Sequence, residues 1–239
     1  MGVKLERDKN RHWLLSIIYR AQKLLPLGKE KKLRLFLDLE WIFDRLSHEA
    51  SFRNYQPEEH PVRMHSKRFI MQRIDKDKRV LDIGCKHGEI ADFIAESAQK
   101  VVGIDYDEHA ISIARSSFQR ENLEFVVGEA YDYLNATEDD FQVLILSHLL
   151  EHLDNPQGFL LRFKDFFQLI YIEVPDFDRN YLNHYRKDLK MELIYSDTDH
   201  ISEFDRIELK ALLDSCALEV IDSEYRFGVQ KLWCRHSQA

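Results

Sequence analysis

A chain of 239 residues, 44% hydrophobic and 32% charged, has the size and balance of one α/β domain with an appendage, long enough to bury a full core. No apolar run approaches the roughly 18–20 residues needed to cross a bilayer. The first residues carry charges with no signal-peptide apolar region after them. Cys85, Cys216 and Cys234 lie far apart without metal-type pairing, which argues against a disulfide framework and makes a reduced, cytoplasmic setting the expectation. The net charge of −8 is unevenly spread: through Arg34 there are ten Lys/Arg against three Asp/Glu, a net of +7, so the remainder carries −15. An acidic body argues against a general nucleic-acid binder, because neutralising phosphates needs a basic surface. The basic arm suits an anionic membrane surface, an acidic substrate or simply solvent.

In chain order, Trp13, Leu14, Ile17, Ile18 and Leu24 recur at helical spacing among arginines and lysines, until Pro26 and Gly28 break the pattern. A second amphipathic helix is predicted from Leu33, Phe36, Leu37, Trp41, Phe43 and Leu46. The polar stretch from His48 to His65, with Pro57 and Pro61, reads as a connection, and a short helix resumes over 66–74. From Arg79 onward strand and helix patterns alternate. Strands are predicted at 79–83, 100–104, 123–127, 141–146, 168–174, 217–225 and 228–235. Helices are predicted at 88–97, 107–119, 148–166 with a break near Pro156, and 205–215. This alternation implies a doubly wound, mostly parallel seven-stranded sheet. The last two strands, joined around Gly228, form an antiparallel C-terminal hairpin at one edge. The expected organisation is a helical N-terminal extension over 1–65, acting as a lid, an anchor or a homodimer surface, followed by a cofactor-binding domain over 66–239. Residues 175–204 form a long excursion, rich in Tyr, Asp and Arg, of the kind that contributes to binding sites.

The segment Arg79-Val-Leu-Asp-Ile-Gly-Cys-Lys-His-Gly88, followed by Val101-Val-Gly-Ile-Asp105, reads as strand, glycine turn, helix and a second strand ending in a carboxylate. That is the layout of a nucleoside cleft at the carboxyl ends of parallel strands. A nicotinamide site would show G-x-G-x-x-G, whereas here Asp82 stands two residues before Gly84, and Gly88 follows four later.

The arrangement resembles the D-x-G-x-G-x-G loop of class I S-adenosylmethionine-dependent methyltransferases, with a resemblance extending over roughly residues 79–236. It implies a Rossmann-like methyltransferase fold and S-adenosyl-L-methionine as cofactor. Asp82, Gly84, Cys85 and Gly88 would form the loop beside the cofactor, and Asp105 would receive its ribose hydroxyls. Tyr106 would lie against adenine, Glu129 and Ala130 would meet the adenine edge, and Ser147 would end the strand beneath the methionine moiety. Lys86 departs from the family's middle glycine; it suits either attraction for the cofactor carboxylate or a weakened site.

After the fourth strand comes Leu146-Ser-His-Leu-Leu-Glu-His-Leu-Asp-Asn-Pro156. Opened as a helix, this segment would put His148, Glu151 and His152 on one face at i, i+3 and i+4. His200 lies farther on, in Asp197-Thr-Asp-His-Ile-Ser-Glu-Phe204. The set looks like the E-x-x-E-H plus distal His of ubiquinone-type O-methyltransferases and small-RNA terminal 2′-O-methyltransferases, in which it holds a divalent metal. The resemblance makes His148, Glu151, His152 and His200 metal ligands, with His148 in place of a glutamate. That exchange shifts preference from magnesium toward manganese, iron or zinc. Two other readings stand beside it: His148 as a metal-free general base, and a Glu-His pair that only caps and packs the helix. Glu173 and Asp176 are secondary candidates. Asp176, Arg179, Tyr181, Tyr185, Arg186 and Tyr195 suit a sugar or another small polyhydroxylated acceptor. The expected function is therefore O-methylation of a small-molecule or glycan hydroxyl. RNA-terminal 2′-O-methylation and a non-catalytic methyltransferase-like binding domain are the alternatives.

Overall fold

The computed structural model describes residues 13–56, 59–197 and 199–236. Two compact units divide the chain, residues 1–43 and 44–239. The predicted break at Pro26 and Gly28 separates α1 (Trp13–Leu24) from α2 (Lys29–Asn54). The stretch expected to be a connection is more helical than its polarity suggested. Helix α2 continues to Asn54, and α3 (Pro61–Ile70) already starts at Pro61. Proline suits that first helical position because its missing N–H would have no partner there. The residue 65/66 boundary drawn from sequence thus falls inside α3.

The second unit contains a seven-stranded sheet. Its elements in order are β1 (Arg79–Ile83), α4 (Glu89–Ala95), β2 (Lys100–Asp105), α5 (Glu108–Ser117), β3 (Leu123–Val127), α6 (Ala130–Ala136), β4 (Val143–Ser147), α7 (Pro156–Phe163), β5 (Leu169–Pro175), α8 (Leu182–Asp188), α9 (Arg206–Ser215), β6 (Leu218–Arg226) and β7 (Val229–His236). Strand order is β3-β2-β1-β4-β5-β7-β6, with β7 antiparallel to both β5 and β6. The doubly wound reading and the terminal hairpin hold. Phe227 and Gly228, at φ +57° and +78°, make the two-residue turn between β6 and β7.

Alternation along the strands sends side chains into two apolar layers. Leu81, Val102, Leu144, Ile170 and Ile172 face one way and pack with Leu160 and Phe163 of α7 and Leu209 and Leu213 of α9. Val80, Val101, Val143, Ile145, Tyr171 and Trp233 face the other way, against Phe69 and Ile70 of α3, Ile94 of α4 and Ile111 of α5. Strand order reverses between β1 and β4, which opens a crevice at their carboxyl ends.

Helices α6 and α8 were not predicted, and 148–166 is not one helix. After β4 the chain turns at His148 in a left-handed conformation, φ +53°, makes a single 3-10 turn over Leu150–His152, and starts α7 only at Pro156. The Asn155 side chain accepts the Gly158 N–H at 2.8 Å, capping α7 there. His148, Glu151 and His152 therefore do not share a helical face.

Candidate active site

The loop between β1 and α4 makes a tight bend with three left-handed residues, Gly84 (φ +75°), Lys86 (φ +46°) and Gly88 (φ +82°). Gly88 has a packing reason besides its φ: an added Cβ would stand 2.4 Å from Phe125 Cζ. Asp105, at the end of β2, holds this loop. Its Oδ2 accepts the Lys86 backbone N–H at 3.0 Å, and its Oδ1 accepts that of Asp107 at 2.9 Å. Each oxygen retains a second lone-pair direction for a hydroxyl.

Behind the loop, Asp82 is buried with Oδ2 unpartnered. Burial, and secondarily the Asp105 charge, push its carboxyl up to about 8. Cys85 is also buried, and burial raises its thiol pKa. That thiol is therefore an unreactive packing group.

A cleft of about 530 Å³ opens over the carboxyl ends of β1 to β4, within the range of small-molecule sites. Gly84, Asp105, Tyr106, Glu129 and Ala130 line it, together with Ile83, Ile104, Leu149 and Leu153. Asp82, Cys85, Gly88 and Ser147 are not among the lining residues; they stand behind or beside the wall. Tyr106 is 81% exposed. Glu129 precedes α6 without using its carboxylate as a cap, so that group is not committed to the helix. Two carboxylates among apolar walls suit a nucleoside, with a diol and an amine as donors. Sequence reasoning missed the α7 wall, Phe159, Arg162 and Phe163, and Tyr131 of α6, over whose ring Arg162 lies at 3.6 Å. The clue was available in α7, where positions 159, 162 and 163 recur at helical spacing.

The second half of the site starts between Leu149 and Leu153. Potential ligand atoms of Glu151, His152 and His200 all lie within 4.8 Å of one another. Backbone pairing makes this convergence: the Glu151 carbonyl accepts the N–H groups of Ile201 (2.9 Å) and Ser202 (3.1 Å), which draws His200 beside the 3-10 turn. The His152 and His200 rings meet edge to face at 4.8 Å. His152 Nδ1 lies 3.2 Å from the Asp199 carbonyl. His200 Nδ1 lies 3.0 Å from Glu203 Oε1 and 3.2 Å from Ser196 Oγ. With each Nδ1 so engaged, Nε2 on both rings is left free for another ligand. Burial opposes charge on His200, but Glu203 and neighbouring carboxylates outweigh it and raise its pKa. Glu203 sits three residues beyond His200, a spacing visible in the sequence though no role was assigned to it.

His148 is not in this cluster. Its Nδ1 lies 2.9 Å from Glu151 Oε1 and its Nε2 3.3 Å from Glu173 Oε1. Burial opposes the imidazolium, yet the two carboxylates overcome it and hold the pKa well above its ordinary value. The side chain is still 41% exposed, so water softens the pair. Glu173 is buried, which alone would raise its pKa; bonds from His148, Tyr171 and Ser66 hold it below its ordinary value instead. Ser66 Oγ donates to Glu173 Oε1 at 2.8 Å, and Tyr171 Oη donates to Oε2. Glu151 Oε2 remains buried without a partner. Asp176 is turned to Arg206, 2.7 Å away, and caps the turn at Phe177–Arg179.

A doubly wound sheet with a cleft at its switch point, bounded by a glycine loop and a strand-end carboxylate and closed by an antiparallel last strand, is the architecture of a Rossmann-like methyltransferase domain. The comparisons agree. Residues 53–223 match the methyltransferase domain family, and the chain belongs to it. A ubiquinone biosynthesis O-methyltransferase of Thiobacillus denitrificans is 33% identical over 81 residues, 33% of this chain and 35% of that protein. The enzyme of the same name from Coxiella burnetii is 32% identical over 100 residues, 41% of each chain. The chain thus matches only about a third to two-fifths of the length of these curated relatives. Among solved structures, a putative methyltransferase complexed with the Trm112 activator of Haloferax volcanii shares the fold at TM-score 0.57 and 14% identity, covering 73% of this chain and 90% of that one. The magnesium protoporphyrin IX methyltransferase of Synechocystis, with bound SAH, matches at TM-score 0.54 and 11% identity, covering 84% and 99%.

Proposed function

We propose that this methyltransferase is an O-methyltransferase acting on a hydroxyl of a sugar, glycan or other small polyhydroxylated compound, with a divalent metal held by Glu151, His152 and His200. The observation that carries the metal is the buried, unpartnered Oε2 of Glu151 beside two imidazoles whose Nδ1 atoms are already engaged. An unmet carboxylate oxygen in a dry site costs several kcal/mol unless something cationic meets it. One carboxylate with two imidazoles favours manganese, iron or zinc over magnesium.

S-adenosylmethionine bound in the cleft would supply an electrophilic methyl group on a sulfonium. Asp105 and Glu129 would bind its nucleoside hydroxyls and amine, while Leu149 and Leu153 would keep water from that wall. A divalent metal held by Glu151, His152 and His200 would supply Lewis acidity, making an acceptor hydroxyl proton labile. His148 lies between Glu151 and Glu173, whose charges favour its protonated form, and this arrangement holds the Glu151 carboxylate and opposes the reading of His148 as a ready base. Holding donor and acceptor in line accounts for much of the remaining acceleration. The acceptor class is supported by Tyr181 and Tyr185, exposed and edge to face at 5.7 Å around the start of α8, and by exposed Tyr195. Aromatic faces of this kind suit sugar rings. The ubiquinone-type relatives support oxygen as the methylated atom.

Metal analysis of purified protein and of Glu151→Gln tests this reading. One equivalent of metal in the wild type, lost in the variant while S-adenosylmethionine binding by calorimetry persists, is expected. Equal metal content in both proteins, or turnover indifferent to chelation, would refute it.

A further inference from the structure

The methyl-transfer site uses nothing of α1. Its sequence, Trp13 to Leu24, places Trp13, Leu14, Ile17, Ile18, Ala21 and Leu24 within one arc at 100° per residue, with Arg20 at its edge and Ser16, Gln22 and Lys23, together with Leu15 and Tyr19, outside it. A helix with such a stripe normally buries it, yet none of the residues of α1 is buried. Trp13 is 72% exposed and Leu24 82%, with Leu14, Ile17 and Ile18 each more than half exposed. At 12 residues the helix is about 18 Å long. No helix among the described residues is long and apolar enough to cross a membrane.

Charge indicates what covers this stripe. From Trp13 to Arg34 there are six Lys/Arg (Arg20, Lys23, Lys29, Lys31, Lys32, Arg34) against one acid, Glu30. Residues 1–12 add four Lys/Arg against two acids, while residues 35–239 carry −15. We propose that α1 is an interfacial anchor that lays its apolar stripe into the surface of an anionic lipid bilayer, with Arg20 and Lys23 at headgroup level. Apolar burial and attraction of basic side chains to anionic lipid act together in such helices, and the acidic remainder of the chain confines attachment to this segment. Pairing this stripe with the same stripe of a second copy would bring like charges face to face. A nucleic acid would gain nothing from the Leu and Ile side chains, since stacking needs aromatic faces.

The test is flotation of the full-length protein with vesicles of phosphatidylcholine alone, or with about one-third phosphatidylglycerol, alongside Trp fluorescence. The expected result is at least tenfold stronger partitioning onto the anionic vesicles, weakened by salt, with a blue shift lost in Trp13→Phe. Both Ile17→Glu/Ile18→Glu and Arg20→Glu/Lys23→Glu should reduce partitioning by roughly tenfold or more. Their melting temperature and S-adenosylmethionine binding should not change, because α1 contributes no buried residue. Either variant partitioning as the wild type does would overturn the proposal, as would equal affinity for neutral vesicles. A dimer abolished by the isoleucine variant without vesicle binding would assign the stripe to a second copy. Retention on RNA but not on vesicles would assign the charge to nucleic acid.

Discussion

Replacing Asp82 by asparagine should stabilise the ligand-free protein at alkaline pH. The native carboxyl is buried, lacks a partner on Oδ2 and faces Asp105, so its pKa rises from the ordinary 3.8 to about 8. The folded state therefore holds this proton more tightly than the unfolded chain. Stability contributed by the neutral acid is complete below pH 4, declines as pH rises toward 8, and levels off above that. At about 1.36 kcal/mol per pH unit the interval sets a ceiling of about 6 kcal/mol. Water entering the open cleft reduces this, and a gain of about 2–4 kcal/mol at pH 8 is expected for the asparagine variant. In a protein of this size that raises the melting temperature by about 5–10 °C at pH 8, and by almost nothing at pH 4. The same substitution removes negative charge beside the cleft, so affinity for the cationic cofactor at pH 8 to 9 should fall by roughly tenfold. Calorimetric melting and binding across pH 4–9 measure both effects. A variant that melts at or below the wild type at pH 8, or a difference constant with pH, would refute the reasoning.

Gly88→Ala should cost about 2–4 kcal/mol, from a left-handed φ and a Cβ placed 2.4 Å from Phe125 Cζ. Denaturant unfolding should show part of that loss restored by adding Phe125→Leu; no restoration would mean that strain in φ alone is responsible. Lys86→Gly should gain about 1 kcal/mol by relieving a non-glycine residue at φ +46°, read as a rise of a few degrees in melting temperature. Because Lys86 meets Asp105 through its backbone N–H, which glycine keeps, cofactor affinity should be unchanged; a marked loss would show that the side chain contacts the ligand.

Much of the catalytic unit was legible from sequence. The strands read as short runs rich in Val, Ile, Leu and Phe, so β1 and β3 were placed to the residue and the others within about two. The glycine loop and Asp105 were visible because a positive φ and a strand-end carboxylate leave specific residues. Helix α6 was not visible, since its seven residues, Ala130–Ala136, carry little period. Helix α8 was hidden in a stretch read as an excursion for its Tyr and Arg content. The α2 extension to Asn54 was missed because a solvated helix end is as polar as a loop.

At the reactive half the division is sharper. Sequence alone determined which donor types exist, Glu151, His152 and His200, since chemistry belongs to residues. It also determined the charge asymmetry of the N-terminal arm, since charge is a sum over composition. Only the tertiary structure decided that His148 stands apart from the Glu151, His152 and His200 cluster. A left-handed turn after β4 and the buried Glu173, 25 positions away, pull its ring between two carboxylates. Only the tertiary structure brought His200 beside Glu151, through two backbone hydrogen bonds across some 50 residues. Contacts at that separation depend on which strand neighbours which, and local periodicity carries no record of it.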